Sequence, residues 1–297
     1  IPKRPEKLIE VPPEDEKTRF SDLDLHEDIL YALQDMEFKF CTPIQQASLP
    51  ELLSGRDLTG KAQTGTGKTA AFLIAGFQKL LNNPAPANRK PGTCRMLILA
   101  PTRELAIQIH QDAENIGKYL PFYNLVVFGG MDHQKQRDHL SRPVDILIGT
   151  PGRLIDYSRS RHLDLSKTEV MVIDEADRML DMGFIPDVRR IIGQCPRTGD
   201  RQTLLYSATL DDSIHRLADS WLKDPVTVES EPEQVVTDLI DQIFYTAARH
   251  EKFPLLMWLL KNEEYSRVMI FGNRKDFNMD LSDKLNACGI KCELLSG

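Results

Sequence analysis

The sequence predicts an α/β fold in which helices cover both faces of a parallel sheet. Two observations support this prediction. Short, continuously apolar runs alternate with longer segments of helical periodicity, a pattern that strands buried on both faces produce. In addition, glycine-rich and acidic motifs follow directly after several of these runs. Ligands of such sheets bind there, beyond the carboxyl ends of the strands.

The first 228 residues contain the elements of one such domain. Residues 20–228 are predicted to form it, and the Pro-, Glu- and Lys-rich residues 1–19 are predicted to be a flexible arm. Helices are predicted between the strands, for example at Glu104–Tyr119 and Asp187–Gln194. The six predicted strands are Asp57–Gly60, Met96–Ala100, Leu125–Phe128, Ile146–Ile148, Val170–Ile173 and Thr203–Tyr206.

A change of composition marks the end of this domain. Residues 224–241 are acidic, contain two prolines and lack a clear period, so a linker is predicted at 229–241. Residues 242–297 predict the start of a second domain of the same kind, which is expected to be truncated and to leave the chain without full activity. The elements predicted there are a helix at Phe253–Asn262, a strand at Arg267–Phe271, a helix at Lys275–Ala287 and a strand at Lys291–Leu295.

Composition limits the class of protein. The chain has 297 residues, of which 41% are hydrophobic and 27% charged, as is typical of a soluble globular protein. It offers no apolar run near the ~18 residues of a membrane span and no secretory signal. Five scattered cysteines and seven histidines lack disulfide or metal-ligand spacing, which favours the cytoplasm. The net charge of −7 argues mildly against nucleic-acid binding, although a local basic groove is compatible with it.

The strongest local signal is a phosphate-binding loop that follows a predicted strand and precedes a helix. Gly65 and Gly67 allow backbone N–H groups to turn inward and bind an anion, and the helix N-terminus adds its dipole. Lys68 is placed to reach the β- and γ-phosphates of a nucleotide, and the Thr69 hydroxyl to bind Mg²⁺. A glycine-rich turn before a helix, the alternative, does not need Lys-Thr after its last glycine. The residues predicted to hold the nucleotide here are Ala62, Gln63, Thr64, Gly65, Thr66, Gly67, Lys68 and Thr69.

An acidic motif, Asp174–Asp177, comes directly after the predicted strand Val170–Ile173. Asp174 is placed to hold Mg²⁺, partly through water, and Glu175 to orient or deprotonate the attacking water. Three acids in four residues are weak evidence alone, because surface carboxylates are common. Together with Lys68 at the end of another strand of the same sheet, they predict catalytic residues for phosphoryl transfer, namely Lys68, Asp174 and Glu175.

The motifs resemble, in order, those of the DEAD-box RNA helicase family of superfamily 2. The resemblance covers nearly all of residues 20–297 and implies a RecA-like P-loop fold. Ala62, which stands where a general P-loop has glycine, fits this helicase variant. The seven motifs are Thr42–Gln45 with the upstream Phe20, Pro101–Ala106, Gly129–Gly130, Thr150–Arg153, Asp174–Asp177, Ser207–Thr209 and Met269–Asn273.

The resemblance implies a role for each motif. Phe20 stacks on the adenine of ATP, and Gln45, with Thr42, recognises the edge of the base. Contacts to RNA go to its sugar-phosphate backbone and carry little sequence preference. The residues implied in these RNA contacts are Thr102, Arg103, Gly130, Thr150 and Arg153. The residues implied in coupling the nucleotide site to RNA are Asp177, Ser207 and Thr209.

The implied activity is RNA-stimulated ATP hydrolysis, with Mg²⁺, coupled to local unwinding of RNA duplexes. Ala62, the Gln45–Phe20 pair and the Ala-Asp ending of the acidic motif favour this activity over that of a DNA helicase or another P-loop motor. An ATP-gated RNA clamp that does not unwind shares every motif and stays open as an alternative. Glu37 and Cys41 depart from the family, which usually has glycine and frequently proline at these positions.

A narrower resemblance concerns four short segments, CTPIQ, VDILIG, GRLIDY and EPEQ. They are similar to bacterial members of the family that act in mRNA degradation. This similarity implies an RNA-degradation complex as a partner, in addition to RNA itself.

Overall fold

The computed structural model describes residues 2–130, 133–230, 241, 243–262 and 265–295. The chain divides into two compact units, residues 1–235 and 236–297, and each is described by itself. The boundary falls inside the predicted linker 229–241, most of which lies outside the described residues.

Unit 1 is built on a seven-stranded parallel sheet, which confirms the predicted fold class. The six predicted strands are all present, with ends that shift by one residue at most. The order across the sheet is β3-β4-β2-β5-β6-β1-β7. The strands are β1 (Leu58–Lys61), β2 (Met96–Leu99), β3 (Asn124–Val127), β4 (Ile146–Gly149), β5 (Val170–Ile173), β6 (Gln202–Ser207) and β7 (Val226–Glu229).

Helices precede and connect these strands. The predicted helix Glu104–Tyr119 runs from Arg103 to Ile116, and the predicted helix Asp187–Gln194 from Ile185 to Ile192. The helices of unit 1 in the described residues are α1 (Glu27–Asp35), α2 (Pro43–Leu53), α3 (Lys68–Asn82), α4 (Arg103–Ile116), α5 (His133–His139), α6 (Pro151–Arg159), α7 (Ala176–Asp181), α8 (Ile185–Ile192) and α9 (Asp212–Trp221).

Alternate side chains of each central strand enter two different cores. In β2, Met96 and Ile98 pack with α1 to α4 on one face, whereas Leu97 and Leu99 pack with α6 to α9 on the other. All four side chains are fully buried. Because helices cover both faces of β2, both positions of the alternation are buried and apolar, and the strand is a continuous apolar run.

The seventh strand, β7, is absent from the sequence prediction, and its omission is an error. β7 pairs in parallel with β1, in residues whose composition indicated the approach to a linker. It lies at the edge of the sheet, and of its four residues only Val228 is buried. A half-exposed edge strand does not need the continuous apolar run by which the other strands are recognised.

Residues 2–19, predicted to be a flexible arm, contact helix α1. The Arg4 guanidinium donates to Asp28 Oδ1 at 2.7 Å and lies 5.4 Å from the ring centroid of Tyr31. Farther along, the Ile9 N–H donates to the side-chain oxygen of Gln34 at 2.6 Å. The described part of the arm contains no helix, as its proline-rich composition predicts. Nevertheless, these contacts attach the arm to helix α1 of unit 1.

Unit 2 contains α10 (Lys252–Asn262) and α11 (Lys275–Ala287) in its described part, where helices were predicted. The strands predicted at Arg267–Phe271 and Lys291–Leu295 are not formed, so these predictions are wrong. A strand requires ladder hydrogen bonds to a neighbour, and neither segment pairs with one among the described residues. The side chains of Phe271 and Leu295 are 88% and 91% exposed. An apolar run without a partner strand or covering helix does not form a buried strand.

Among the described residues, none of the helices combines the length and apolarity needed to cross a membrane.

The five cysteines are all free thiols. Burial raises the pKa of Cys41 and of Cys94 to about 12, so these two thiols stay protonated and unreactive near neutral pH.

Candidate functional site at the carboxyl edge of the sheet

The predicted motifs lie along one edge of the sheet, because parallel strands have their carboxyl ends on the same side. The neighbouring strands β5, β6 and β1 lead into the motifs predicted to bind and hydrolyse the nucleotide, Asp174–Asp177, Ser207–Thr209 and Ala62–Thr69. The neighbouring strands β3, β4 and β2 lead into the motifs predicted to contact RNA, Gly129–Gly130, Thr150–Arg153 and Pro101–Ala106. The two sets therefore occupy adjacent halves of one edge, which meet where β2 pairs with β5.

The phosphate loop has the backbone conformation that its glycines predict. Gly65 and Gly67 both lie in the left-handed region, with φ of +88° and +93°. A β-carbon on Gly67 would lie 2.6 Å from Gln45 Nε2, so both the backbone and the packing require glycine there. Gly67 is the N-cap of α3, whose N-terminus faces the loop with its free N–H groups. Within the loop, the Thr66 hydroxyl donates to the Gln63 carbonyl oxygen at 2.9 Å.

Lys68 and Asp174 form a buried ion pair between the first turn of α3 and the end of β5. Lys68 Nζ lies 2.9 Å from Asp174 Oδ1, and the two side chains are 5% and 0% exposed. Burial raises the pKa of Asp174, and the charge of Lys68 opposes this rise. The second oxygen, Asp174 Oδ2, is buried without a hydrogen-bond partner. An unpaired buried acceptor is costly, so a cation or water beside Oδ2 would be stabilising.

The chemistry of these residues fits a magnesium ion. Mg²⁺ takes oxygen ligands and commonly combines one or two carboxylates with water and substrate phosphates. Asp174 Oδ2 supplies an unpartnered carboxylate oxygen. Thr69 lies in the first turn of α3 and lines the same cavity as Lys68 and Glu175. The predicted metal ligands Thr69 and Asp174 therefore have the right chemistry.

Glu175 extends from the end of β5 to the phosphate loop, where its Oε1 accepts a hydrogen bond from Thr64 Oγ1 at 3.3 Å. Its backbone is left-handed, with φ of +53°, a conformation that costs about 1–2 kcal/mol for a residue with a side chain. Strain of this kind concentrates at functional sites. The Glu175 N–H donates to Asp174 Oδ1 at 3.0 Å, so the backbone of Glu175 helps to orient the Asp174 carboxylate.

Two of the residues predicted to couple the two halves form hydrogen bonds with the ends of neighbouring strands. Asp177 Oδ2 accepts a hydrogen bond from the Ala208 N–H at 3.2 Å, which joins the acidic motif to the segment after β6. The Ser207 carbonyl oxygen accepts from the Ala62 N–H at 3.0 Å, which joins that segment to the phosphate loop. Ser207 Oγ is buried without a partner, whereas Thr209 is exposed.

Gln45 joins the N-terminus of α2 to the phosphate loop. Its Oε1 accepts from the Thr42 N–H at 2.9 Å, and its Nε2 donates to the Gly67 carbonyl oxygen at 3.0 Å. An amide side chain has two donor hydrogens and two acceptor lone pairs. One donor and one acceptor therefore stay available for the edge of a base, as predicted for Gln45.

A cavity of about 310 Å³ adjoins this loop and reaches toward α4. Its walls include Gln45, Lys68 and Glu175, together with the aromatic residues Phe38 and Phe40. Phe20, predicted to stack on adenine, is not among them. It is 3% exposed and belongs to the core on the α1–α4 face. The structure contradicts the role predicted for Phe20, because a ring enclosed by the core has no free face for a base.

Phe38 is the aromatic residue that sequence reasoning missed. It is 39% exposed and lines the cavity, with a free ring surface. The preceding residue, Glu37, adopts a left-handed conformation with φ of +59°, which explains why glycine is usual at this position. The turn at Glu37 directs the chain toward α2, and the sequence signal that could have identified Phe38 is its place directly after this turn.

Asp112 is a second missed residue of the cavity wall. It lies on the face of α4 that also presents Leu105, Gln108 and Ile116 to the cavity. Burial raises the pKa of Asp112. The spacing of these four residues is that of one helix face, which sequence alone attributes equally well to core packing.

Four of the five predicted RNA contacts lie on loops or helix starts that reach the surface. The Thr102 hydroxyl caps α4 by accepting from the Leu105 N–H at 3.2 Å. Arg103 is exposed, and its guanidinium lies 5.1 Å from the ring centroid of Phe128. A β-carbon on Gly130 would lie 3.9 Å from Arg103 Nη1, so these two predicted contacts are neighbours. Thr150 is partly exposed at the start of α6.

The fifth predicted contact, Arg153, has a different environment. It is 6% exposed, and its Nη1 donates to the Tyr157 hydroxyl at 3.3 Å. Most of the Arg153 side chain is therefore buried against α6. Its direct contact with RNA stays a prediction.

The fold and the site together define a class of protein. A phosphate loop, a buried lysine–aspartate pair and a second carboxylate stand at the carboxyl edge of a parallel sheet. This combination defines a RecA-like P-loop nucleoside triphosphatase.

Comparison with known proteins identifies the family. Residues 42–217 match the profile of the DEAD/DEAH box helicase family. The chain is 48% identical over 288 residues to the ATP-dependent RNA helicase RhlB of Pseudomonas aeruginosa. The aligned region covers 97% of this chain and 72% of that protein. The chain is 46% identical over 279 residues to the protein of the same name from Xanthomonas oryzae pv. oryzae, covering 94% of this chain and 49% of that protein. The chain belongs to the DEAD/DEAH box helicase family.

Solved structures support the same assignment. A DEAD box protein from the hyperthermophile Methanococcus jannaschii superposes with a TM-score of 0.65 at 31% identity, covering 92% of this chain and 71% of that one. A hypothetical ATP-dependent RNA helicase from Sulfolobus tokodaii gives a TM-score of 0.61 at 34% identity, covering 69% of this chain and 57% of that one. The RecA-like helicase fold of this protein is thereby confirmed.

Proposed function

We propose that this protein is an ATP-dependent RNA helicase that couples RNA-stimulated ATP hydrolysis to local unwinding of RNA duplexes. The observation that carries the proposal is the arrangement of the carboxyl edge. Nucleotide residues on β5, β6 and β1 adjoin RNA-facing residues on β3, β4 and β2. Contacts such as Asp177 to Ala208 and Ser207 to Ala62 link neighbouring strand ends.

The nucleotide half offers residues for three functions in phosphoryl transfer, namely charge neutralisation, metal binding and activation of the attacking water. Lys68 and the N–H groups at the start of α3 neutralise the phosphates, and Glu175 orients the attacking water and takes its proton. Asp174 and Thr69 would hold Mg²⁺, which supplies charge neutralisation on the phosphate oxygens. In this proposal Phe38 stacks on the adenine, and Gln45, with Thr42, recognises its edge.

The decisive experiment uses a protein that carries the complete second domain, and it compares ATP hydrolysis with and without single-stranded RNA, followed by separation of a short RNA duplex. Stimulation by RNA together with ATP-dependent strand separation is the expected result. Stimulation without strand separation would favour an ATP-gated RNA clamp. Hydrolysis that responds to DNA and not to RNA would refute the proposal.

We expect Phe38→Ala to weaken ATP binding by about tenfold. Stacking of a base on an aromatic ring contributes about 1–3 kcal/mol, and about 1.4 kcal/mol is tenfold in affinity. The matched control is Phe20→Leu, which should lower stability because Phe20 is buried, yet leave ATP affinity unchanged. Titration with a fluorescent ATP analogue measures the affinities, and urea unfolding measures the stabilities. A loss of affinity in the Phe20 variant alone would return the stacking role to Phe20.

RNA binding is expected to weaken steeply with salt and to depend little on sequence. Each phosphate contact on single-stranded RNA contributes about 0.7 to the slope of log affinity against log salt concentration. Arg103→Ala should therefore reduce that slope by about 0.7. Arg190→Ala is the control, because Arg190 is an exposed arginine of α8 that pairs with Asp187 at 3.1 Å. Equal slopes for wild type and the Arg103 variant, measured by fluorescence anisotropy, would remove Arg103 from the interface.

The proposal extends to domain organisation and partners. Residues 20–228 form the ATP-binding domain, 229–241 a linker, and 242–297 the start of a second RecA-like domain. Support comes from α10 and α11 at their predicted positions. An RNA-degradation complex is the proposed partner, and this proposal rests on the resemblance of the segments CTPIQ, VDILIG, GRLIDY and EPEQ to family members that act in mRNA degradation. Purification of the tagged protein from its host, with ribonucleases absent from the eluate, would count against this partner.

A further inference from the structure

We infer that Gln136 and Tyr157, together with Arg153, position the RNA-facing turn at Gly129–Gly130 and the arginine beside it. These three side chains, here called the α5–α6 latch, are all buried or nearly so. The inference rests on the proposed function, since it concerns the RNA half of the same edge. Gln136 and Tyr157 are positioning residues, because they act through other groups and would not touch the RNA.

The latch holds the chain on both sides of the turn. Gln136 Nε2 donates to the carbonyl oxygen of Phe128, the residue before the two glycines, at 3.2 Å. The Tyr157 hydroxyl lies 3.2 Å from the carbonyl oxygen of His133, at the start of α5. It also lies 3.2 Å from Gln136 Oε1. The hydroxyl has one proton, which it shares between these two acceptors. It thereby connects the Gln136 amide and the start of α5 to α6.

A further contact connects the latch to Arg103, the proposed RNA phosphate contact. Gln136 holds the backbone of Phe128 through its hydrogen bond to the Phe128 carbonyl oxygen. The Arg103 guanidinium lies over the Phe128 ring, 5.1 Å from its centroid. On the other side, Arg103 Nη1 lies next to Gly130. A displacement of Phe128 would therefore move the support of Arg103 and the turn together.

The latch is buried, although the surrounding core is apolar. Gln136 and Tyr157 are 3% and 2% exposed, and Arg153 donates to the same hydroxyl at 3.3 Å. Apolar side chains of similar volume would often stabilise a core equally well. Fully connected polar networks, in contrast, restrict a site to one geometry. This burial favours a positioning role over a contribution to stability alone.

The test compares Tyr157→Phe with Tyr123→Phe in the full chain. Both variants remove one hydroxyl that bonds to α5, but Tyr123 bonds to His139 Nδ1 at 2.8 Å, at the opposite end of the helix from the turn. A hydrogen bond contributes about 1 kcal/mol, which is about fivefold in affinity. We expect Tyr157→Phe to weaken binding of a fluorescent oligo-uridine RNA by about fivefold, with wild-type affinity for ATP. Tyr123→Phe should bind both ligands like wild type.

A second pair of measurements separates positioning from folding. Gln136→Met keeps the length of the side chain and removes both hydrogen bonds, so it should weaken RNA binding as Tyr157→Phe does. The double variant should lose less than the sum of the two single losses, because both residues belong to one network. In both variants the slope of log RNA affinity against log salt concentration should also fall by about 0.7, which is the contribution of one phosphate contact. The reason is that Arg103 is displaced from its phosphate.

Four outcomes would overturn the inference. Equal RNA affinity of Tyr157→Phe and wild type excludes the latch, provided that the wild type binds RNA. Equal losses in Tyr157→Phe and Tyr123→Phe mean that docking of α5 as a whole matters. If Tyr157→Phe loses ATP and RNA affinity in parallel, that variant is misfolded. If Gln136→Met shows the same parallel loss, the latch serves only to stabilise the fold. If the wild type itself does not bind RNA, the proposed function fails and the inference fails with it.

Discussion

Replacing Glu175 with glutamine is expected to lower ATP hydrolysis by about 10²–10⁴-fold, the contribution of a positioned general base. ATP affinity should stay near that of wild type. The amide keeps the size of the side chain and can still bond to Thr64, which the carboxylate contacts at 3.3 Å. It loses the capacity to take a proton from water. A single-turnover assay with saturating RNA separates hydrolysis from binding.

The matched control for this prediction is Asp181→Asn, which makes the same change of carboxylate to amide. Asp181 is exposed at the end of α7, the helix that begins beside Glu175. Its variant should hydrolyse ATP at the wild-type rate. Normal turnover in Glu175→Gln would show that the strained backbone at Glu175 serves the local structure and that another group handles the proton.

The second large effect is expected for Lys68→Ala, on both ligand binding and stability. Lys68 is the side-chain cation of the phosphate loop, so productive ATP binding should be lost in calorimetry. The variant also leaves Asp174 buried without its partner at 2.9 Å. Breaking a buried ion pair in this way costs about 3–5 kcal/mol. Lys61→Ala is the control, since Lys61 forms an exposed pair with Glu229, which contributes about 0–1 kcal/mol.

The stability loss in Lys68→Ala should depend on pH. Burial already raises the pKa of Asp174 above its ordinary value, and Lys68 opposes this. Without Lys68 the folded state therefore binds the Asp174 proton more tightly than the unfolded state does. The loss is smallest in acid, where the carboxyl is protonated in both states, and grows as the pH rises through the folded-state pKa.

Urea unfolding at acidic and neutral pH measures this dependence. The double variant Lys68→Ala/Asp174→Asn carries no buried charge and should recover much of the stability at neutral pH. Unchanged ATP affinity in Lys68→Ala would contradict the assignment of the phosphate loop itself.

The sequence predicts the parts of this structure that depend on local patterns. Strand β2 is recognisable because its four residues are all buried and all apolar. The glycines of the phosphate loop are recognisable because left-handed φ angles strongly favour glycine. Asp174 follows an apolar strand, and that position alone places it at the carboxyl edge.

The errors of sequence reasoning concern tertiary environment. Phe20 and Phe38 are both aromatic residues upstream of Gln45, and only the packing of the core shows that Phe20 has no free face. The apolar run at 267–271 has the composition of β2 without the neighbours that make a strand. In each case the packing around the residue, which its type does not reveal, decides the outcome.

The hydrogen bonds of Gln45 have a thermodynamic consequence for nucleotide selection. Its amide bonds at once to the Thr42 N–H and to the Gly67 carbonyl oxygen, at the residue that caps α3. A base that bonds to the remaining groups of this amide therefore also stabilises the conformation in which the loop receives phosphates. Linkage is reciprocal, so phosphates in the loop strengthen the discrimination between bases by the same factor. Adenosine, which lacks phosphates, should accordingly compete with guanosine less selectively than ATP competes with GTP.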